Sequence, residues 1–349
     1  MKKTLFAALA LVSMASCSNE DVLEVAQKEA IGFDNSFINN STRSVNDYSY
    51  SSTADEGKGM FSDFQVFAFV EGAAIFDNAS TDYVDGTVVN QTIKNDKLES
   101  IWKYDGTQYW IAGANYDFSA VAPSTGWTTT EATKDGVKLS FSNNGKSDIL
   151  YAKASQQGKI SGNEMVAFTF RHILSKVKFS FENAYNATNA KIKVKDIKIT
   201  NAYTKGNATL NANTVWAAEG KQTLSFGMAT DNEATTEKEN AEIAYAYQAT
   251  YESQEELLLI PCSDNKAYNV EFKVVLLVGE TEVKEYTHKS TVNFAPAAGC
   301  SYDIKAIINA ENIDPENKQE PIEFTVNKIN GWTSGTNPSD IKTTTPAGN

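Results

Sequence analysis

The sequence predicts an all-β fold, arranged as two antiparallel β-sandwich domains with Greek-key-type connections. Three observations carry this reading. Apolar and polar residues alternate in short runs along most of the chain. Gly, Asn and Asp separate those runs, as turn residues do. No segment shows a sustained helical stripe. With 349 residues, at about 100–200 residues per domain, two domains is the default.

The first element is an address rather than a fold. Lys2 and Lys3 precede an apolar run from Leu5 to Met14, followed by Ala15, Ser16 and Cys17. A basic start, an apolar core and small residues before a boundary read as an export signal. The run is shorter than the roughly 20 apolar residues that span a bilayer. The small residues before Cys17 resemble a bacterial lipobox, with Met14 in place of the usual Leu. Residues 1–17 are therefore expected to be a lipoprotein signal peptide ending at a lipidated Cys17; the bland alternative is a plain secretory signal. An acyl chain there anchors the precursor to the outer membrane without a transmembrane helix. The acidic stretch Ser18-Asn19-Glu20-Asp21 resembles a surface-export signal of Bacteroidota lipoproteins.

Residues 18–43 form a leader. Ile31, Phe33 and Phe37 share one odd-numbered face, which reads as one isolated β-strand. Residues 38–59 are rich in Asn, Ser, Thr, Asp and Gly, the composition of an exposed loop.

The N-terminal sandwich is expected over 44–164. Phe64, Val66, Ala68 and Val70 alternate with Gln65, Phe67 and Phe69, a strand apolar on both faces. Ile101–Tyr104 and Tyr109–Ile111 flank Asp105-Gly106 and read as a hairpin. Tyr116–Val121, Val137–Phe141 and Ile149–Ala152 follow as strands. The boundary is placed near residue 164, after Ser161-Gly162-Asn163.

The C-terminal sandwich, 165–349, is expected to contain strands in Met165–Phe170, Ile173–Phe181, Ile192–Ile199, Leu257–Ile260, Tyr268–Val278, Val283–Tyr286, Tyr302–Ile308 and Ile322–Val326. In Ile192–Ile199 the apolar phase shifts at Asp196, the signature of a bulge. Residues 228–241 read as a long polar loop with at most one helical turn.

Composition excludes several functions. Lys plus Arg is 31 against Asp plus Glu 44, a net charge of −13, which argues against nucleic acid. Two histidines and three cysteines leave little for a metal site. There is no His-Glu-x-x-His, phosphate-cradling glycine loop or Gly-x-Ser-x-Gly elbow. His172 and His288 read as structural or surface residues, and no cofactor is expected. Cys262 and Cys300 both lie at strand ends. They read equally as a disulfide, admissible in an exported protein, or as two buried thiols.

The chain has two arginines, Arg43 and Arg171, against 29 lysines (31 − 2). Arg171 lies in a strand-like run, whereas Arg43 lies in the exposed loop, where proteolysis concentrates. By composition alone Arg43 is a solvated loop residue. Joined to its surroundings it becomes a cleavage site: cutting between Arg43 and Ser44 frees the leader strand and leaves a body of 306 residues (349 − 43). If the leader fills a sheet, its loss exposes an edge that accepts another strand. The C-terminal segment offers one, with Ile322, Phe324 and Val326 on one face and Trp332 beyond. The alternative for this segment is an ordinary last strand of the second sandwich.

Taken in order along the chain, these features resemble the fimbrillin family of Bacteroidales, the lipoprotein-precursor subunits of type V pili. The resemblance rests on the lipoprotein start, Ile31-Gly32-Phe33, Thr42-Arg43 and the run Phe170-Arg171-His172-Ile173-Leu174-Ser175-Lys176-Val177. Leu258-Leu259-Ile260-Pro261, Gly299-Cys300-Ser301-Tyr302 and Ile329-Asn330-Gly331-Trp332 add to it. It implies transthyretin-like sandwiches, leader removal by an arginine-specific protease, and polymerisation with other pilin subunits by strand exchange. It also implies a non-enzymatic, adhesive protein of the cell-surface fimbrium that meets a host or bacterial surface ligand, and the cleavage site favours a stalk or tip position over an anchor. The competing reading is a monomeric surface lipoprotein that binds glycans or other ligands, with Trp102, Trp110, Trp127 and Trp216 stacking on sugars.

Overall fold

The computed structural model describes residues 29–33, 37–38, 63–76, 86–94, 97–230, 246–316 and 321–329. The protein is all-β, with no helix among these residues. The N-terminal strands are β1 (Phe37–Ile38), β2 (Asp63–Val70), β3 (Ala73–Ala74), β4 (Thr87–Lys94) and β5 (Lys97–Lys103). Then come β6 (Asn115–Ala122), β7 (Trp127–Thr133), β8 (Gly136–Ser142), β9 (Leu150–Gln157) and β10 (Thr169–His172). The C-terminal half contributes β11 (Ser175–Asn183), β12 (Ala190–Leu210), β13 (Val215–Gly227), β14 (Ala229–Thr230) and β15 (Thr250–Ser253). The last are β16 (Leu257–Leu259), β17 (Lys266–Val278), β18 (Thr281–Phe294), β19 (Ser301–Ile308) and β20 (Phe324–Ile329).

Among the described residues the strands form three sheets. One of eight strands runs β1-β10-β9-β6-β2-β4-β5, with β3 on β2. One of six runs β14-β15-β11-β19-β20, with β16 on β11. Another of six runs β18-β17-β12-β8-β7, with β13 on β12. β2 is the central strand its two apolar faces require: Phe64, Val66 and Ala68 enter one core, and Phe67 and Phe69 enter another.

Strands pair across the expected boundary near residue 164. β12 is 21 residues long, more than one sandwich needs. Its first half pairs with β17, from Ala190↔Val278 to Ile199↔Val270. Its second half pairs with β8, from Lys205↔Ser142 to Leu210↔Val137. Strands from either side of residue 164 therefore share one sheet. β10 likewise lies beyond the boundary yet pairs with β9. The expected bulge is present: Asp196 has φ 55°, and the β12–β17 register slips between Lys195 and Lys198.

The run from Phe170 to Val177 is tied to segments far away in sequence. The Arg171 guanidinium donates to the carbonyls of Asn211 (2.5 Å) and Ala212 (3.1 Å) in the β12–β13 turn. His172 Nδ1 lies 2.6 Å from Asp148 Oδ2, both groups buried. The Trp216 indole N–H donates to Ile173 O (2.7 Å), and Gly299 N–H donates to Leu174 O (2.8 Å). His288, stacked on Phe272 with its Nε2 3.0 Å from Ile313 O, is also a packed core residue.

Candidate functional site

The candidate site is the seat of the leader on the N-terminal sandwich. Ile31 and Phe33 are each 2% exposed and belong to the core built on Phe64, Phe118, Phe168 and Phe170. Period-2 spacing aims both side chains the same way. Phe33 stacks on Phe168, with centroids 5.8 Å apart, and meets Tyr104 (5.5 Å), Phe64 (6.1 Å) and Phe118 (6.3 Å) in edge-on contacts. Such contacts add to the roughly 1.5–3 kcal/mol that burying each large apolar side chain supplies.

The leader backbone is held on both sides. Ile31 N–H donates to Gln108 O (2.8 Å), and Trp110 N–H donates to Glu29 O (2.9 Å), around an antiparallel bridge Ala30↔Tyr109. On the other flank Val166 N–H donates to Gly32 O (2.8 Å), beside a parallel bridge Phe33↔Val166. Farther along, β1 pairs in parallel with β10, Phe37↔Thr169 and Ile38↔Phe170. The Tyr104 hydroxyl donates to Ile31 O (2.8 Å), and burial pushes its pKa up, which keeps the proton on that donor.

Glu29 clamps the entry. Its carboxylate accepts from the backbone N–H of Gly162 and Asn163 and from Asn163 Nδ2, each at 2.7 Å. These donors, the Asn163 N–H first, hold its pKa below the ordinary carboxylate value. A carboxyl depressed in the folded state stabilises the fold above its ordinary pKa and loses that contribution as pH falls through the depressed one. The clamp therefore weakens in acid.

Sequence reasoning found Ile31 and Phe33 but missed their receptor. Tyr109–Ile111 does not return as the second strand of a hairpin. The Asp105-Gly106 turn forms, with Gly106 at φ 73°, and the segment after it pairs with the leader instead. Glu29, Tyr104 and Val166 carry no local signal of this role, because their partners lie far away in sequence.

The other expected site residues fall elsewhere. Cys17, Arg43, Ser44 and Trp332 lie outside the described residues, and Phe37 is described only as a backbone position of β1. Ile322, Phe324 and Val326 sit on the C-terminal sandwich, where β20 pairs with β19 as its outer strand. Ile322 and Val326 are buried, and the Phe324 ring lies edge-on to Phe179 and Phe272. In this state the segment is the ordinary last strand of its sandwich.

Cys262 and Cys300 are free, buried thiols rather than a disulfide. The Cys262 thiol lies 3.8 Å from Ile260 O and 3.9 Å from the Tyr268 hydroxyl, and Cys300 lies 3.7 Å from Ala298 O. Each sulfur is packed against its own neighbours, and burial pushes the Cys262 pKa up, away from the reactive thiolate. The sugar-stacking tryptophans are also core residues: Trp102, Trp110 and Trp216 are buried. Trp127 packs near Phe67 and donates its indole N–H to Pro123 O (2.7 Å). No group of three or more His, Cys, Asp or Glu side chains among the described residues is placed to hold a metal.

Comparison with known proteins gives a family and a set of similar structures. The family model described as fimbrillin-like matches residues 53–332. Among solved structures, a candidate cell adhesion protein of Bacteroides ovatus is 16% identical. That match covers 88% of this chain and 99% of the other, with a TM-score of 0.48. A candidate cell adhesion protein of Bacteroides uniformis is 13% identical over the same shares, 88% and 99%, with a TM-score of 0.46. A third, from Parabacteroides distasonis, is 11% identical, covering 89% and 99%, with a TM-score of 0.44. No curated protein matches the chain.

Proposed function

The chain belongs to the fimbrillin-like family, a structural, non-enzymatic protein of the fimbrial, cell-surface kind, and from that premise we propose a maturation and assembly route for it. The precursor is exported as a lipoprotein acylated at Cys17. An arginine-specific protease cuts between Arg43 and Ser44, the leader leaves, and a C-terminal strand of another subunit takes its seat.

The observation that carries this reading is the seat itself. A segment on the N-terminal side of Arg43 contributes Ile31 and Phe33 to the interior of the sandwich. Its removal uncovers an apolar slot and frees the N–H groups of Trp110 and Val166. A buried slot edged by unpaired backbone groups is a receptor for a strand.

The donor matches the slot in pattern. Ile322-Glu323-Phe324 repeats the apolar spacing of Ile31-Gly32-Phe33. At Gly32 an added Cβ would lie 3.3 Å from Met165 Cγ, on an exposed, flexible side chain. Glu323 thus fits there with a small movement of Met165. A slip of one residue would aim Glu323 into the slot, so the register is specified. In its present place β20 has one hydrogen-bonded neighbour among the described strands, β19, and an outer strand of this kind is easier to release than a central one.

N-terminal sequencing of surface polymers tests the route. The expected result is Ser44 as first residue in a high-mass ladder. An intact, acylated Cys17 on monomers overturns it.

A further inference from the structure

The outer strand of the C-terminal sandwich carries an unsatisfied polar group beside a carboxyl. β20 pairs with β19 in antiparallel register, with Ile304↔Val326 and Asp303↔Asn327 as neighbouring pairs. Ile304 and Val326 belong to the core, so by the period of a strand Asp303 and Asn327 stand side by side on the opposite face. Asn327 Oδ1 is buried and has no hydrogen-bond partner among the described residues. A buried acceptor left without a donor costs free energy.

The groups around Asp303 decide which donor can reach that oxygen. Lys178 of β11 lies opposite Asp303 in the parallel β11–β19 register, with Ser180 two places on. Ser180 Oγ donates to Asp303 Oδ1 (2.6 Å), which leaves Oδ2 for the side of β20. The cations facing the carboxyl are engaged elsewhere: Lys178 pairs with Glu252 of β15, and Lys305 pairs with Glu182 of β11 (2.8 Å). Farther along β11, Lys176 pairs with Glu256 (3.4 Å). β20 sets Thr325 beside Asn327, and its one charged residue, Lys328, belongs to the other face by period. Burial pushes the Asp303 carboxyl above its ordinary pKa; Glu252 acts in the same direction, and the Ser180 bond, Lys178 and Lys305 act against it.

We propose that Asp303 and Asn327 form a protonation-dependent latch on the donor strand: the carboxyl O–H at Asp303 Oδ2 donates to Asn327 Oδ1 and holds β20 on β19. The inference rests on the strand-exchange reading, in which this strand leaves its sandwich, and adds a control on its release. With the proton on, the buried acceptor is satisfied and Asp303 keeps its bond from Ser180. With the proton off, carboxylate oxygen faces amide oxygen, acceptor against acceptor, and β20 loosens. Once β20 has gone, water reaches the carboxylate. A carboxyl whose pKa is raised in the closed state stabilises that state below its ordinary pKa and loses the contribution as pH rises through the raised one. Acid therefore retains the strand, and neutral pH readies it for exchange. The sign is opposite to that of the Glu29 clamp, which acid weakens.

Hydrogen exchange of residues 321–329 in the uncut chain, at pH 5 and pH 8 and corrected for the intrinsic pH dependence of amide exchange, reads the latch without requiring assembly. Wild type is expected to open β20 about tenfold more often at pH 8, the scale of one buried hydrogen bond lost. Asp303→Asn keeps the shape and supplies a permanent donor, so it is expected to open at the wild-type pH 5 level at both pH values. Asn327→Ala removes the acceptor and is expected to open at the pH 8 level at both. A flat wild-type profile, or one that survives either substitution, overturns the latch. So does slower opening at pH 8, which would mean that the amide N–H of Asn327 donates to an ionised Asp303. Cut chain, which has lost Glu29 with the leader, then reads the effect on assembly: wild type is expected to polymerise about tenfold more slowly at pH 5 than at pH 8, and Asp303→Asn equally slowly at both. Equal wild-type rates at the two pH values overturn the latch as a control on release. Cut chain that polymerises at neither pH overturns strand exchange itself, while the profile of the uncut chain still decides the latch.

Discussion

Replacing Phe33 by Ala is expected to destabilise the N-terminal sandwich of the uncut chain by about 3–5 kcal/mol, the usual cost of emptying a buried phenylalanine site. The ring is 2% exposed and meets four other aromatic rings. The site has little means of collapsing, because its lining belongs to three separately fixed elements: Phe64 on β2, Phe118 on β6, and Phe168 just before β10. Urea unfolding followed by tryptophan fluorescence reads the loss, since Trp102 and Trp110 lie in the same core. The cut form supplies the control. Residue 33 departs with the leader, so cut Phe33→Ala and cut wild type are expected to unfold at the same urea concentration. A variant that destabilises both forms equally, or neither, contradicts the seat.

Replacing Arg43 by Ala is expected to abolish polymers and leave full-length monomers on the cell. The reason is concentration. While the leader stays covalently joined to the body, it competes for its seat as part of the same molecule, independent of dilution. A donor strand from another subunit must outbid that. Cutting converts the leader into a separate peptide that dilutes away. The other arginine offers no substitute site: Arg171 lies in β10, paired to Tyr151, with its guanidinium held by the β12–β13 turn and over the Tyr151 ring. Electron microscopy of surface material reads the outcome, and fibres built from Arg43→Ala subunits contradict it.

Much of the fold is legible in the sequence wherever one face of a strand is buried. β2 reads as a well-buried strand because both faces are apolar, and the slip in phase at Asp196 marks the bulge of β12 directly. β4 and β7 escape notice because their side chains give no clean apolar alternation, and β13 because its alternation is confined to Leu224-Ser225-Phe226 at one end. β7, Trp-Thr-Thr-Thr-Glu-Ala-Thr, buries only Ala132 fully. The pairing of β12 with β17 along one half and with β8 along the other is equally hidden, since length alone does not say which strand pairs along each half. The site divides the same way. Ile31 and Phe33 declare themselves by spacing, whereas Glu29 binds Gly162 and Asn163 across more than 130 residues of sequence. Pairing at that separation is decided by the whole fold and leaves no local pattern.

Hydrogen exchange at the amides of Trp110 and Val166 tests the central claim most directly. Both donate to the leader, at Glu29 O and Gly32 O. They are expected to be protected in the uncut chain, to exchange rapidly in the cut monomer, and to be protected again in the polymer, where a second copy's strand supplies the carbonyls. Protection that survives cutting, or that fails to return on assembly, contradicts the exchange of one strand for another.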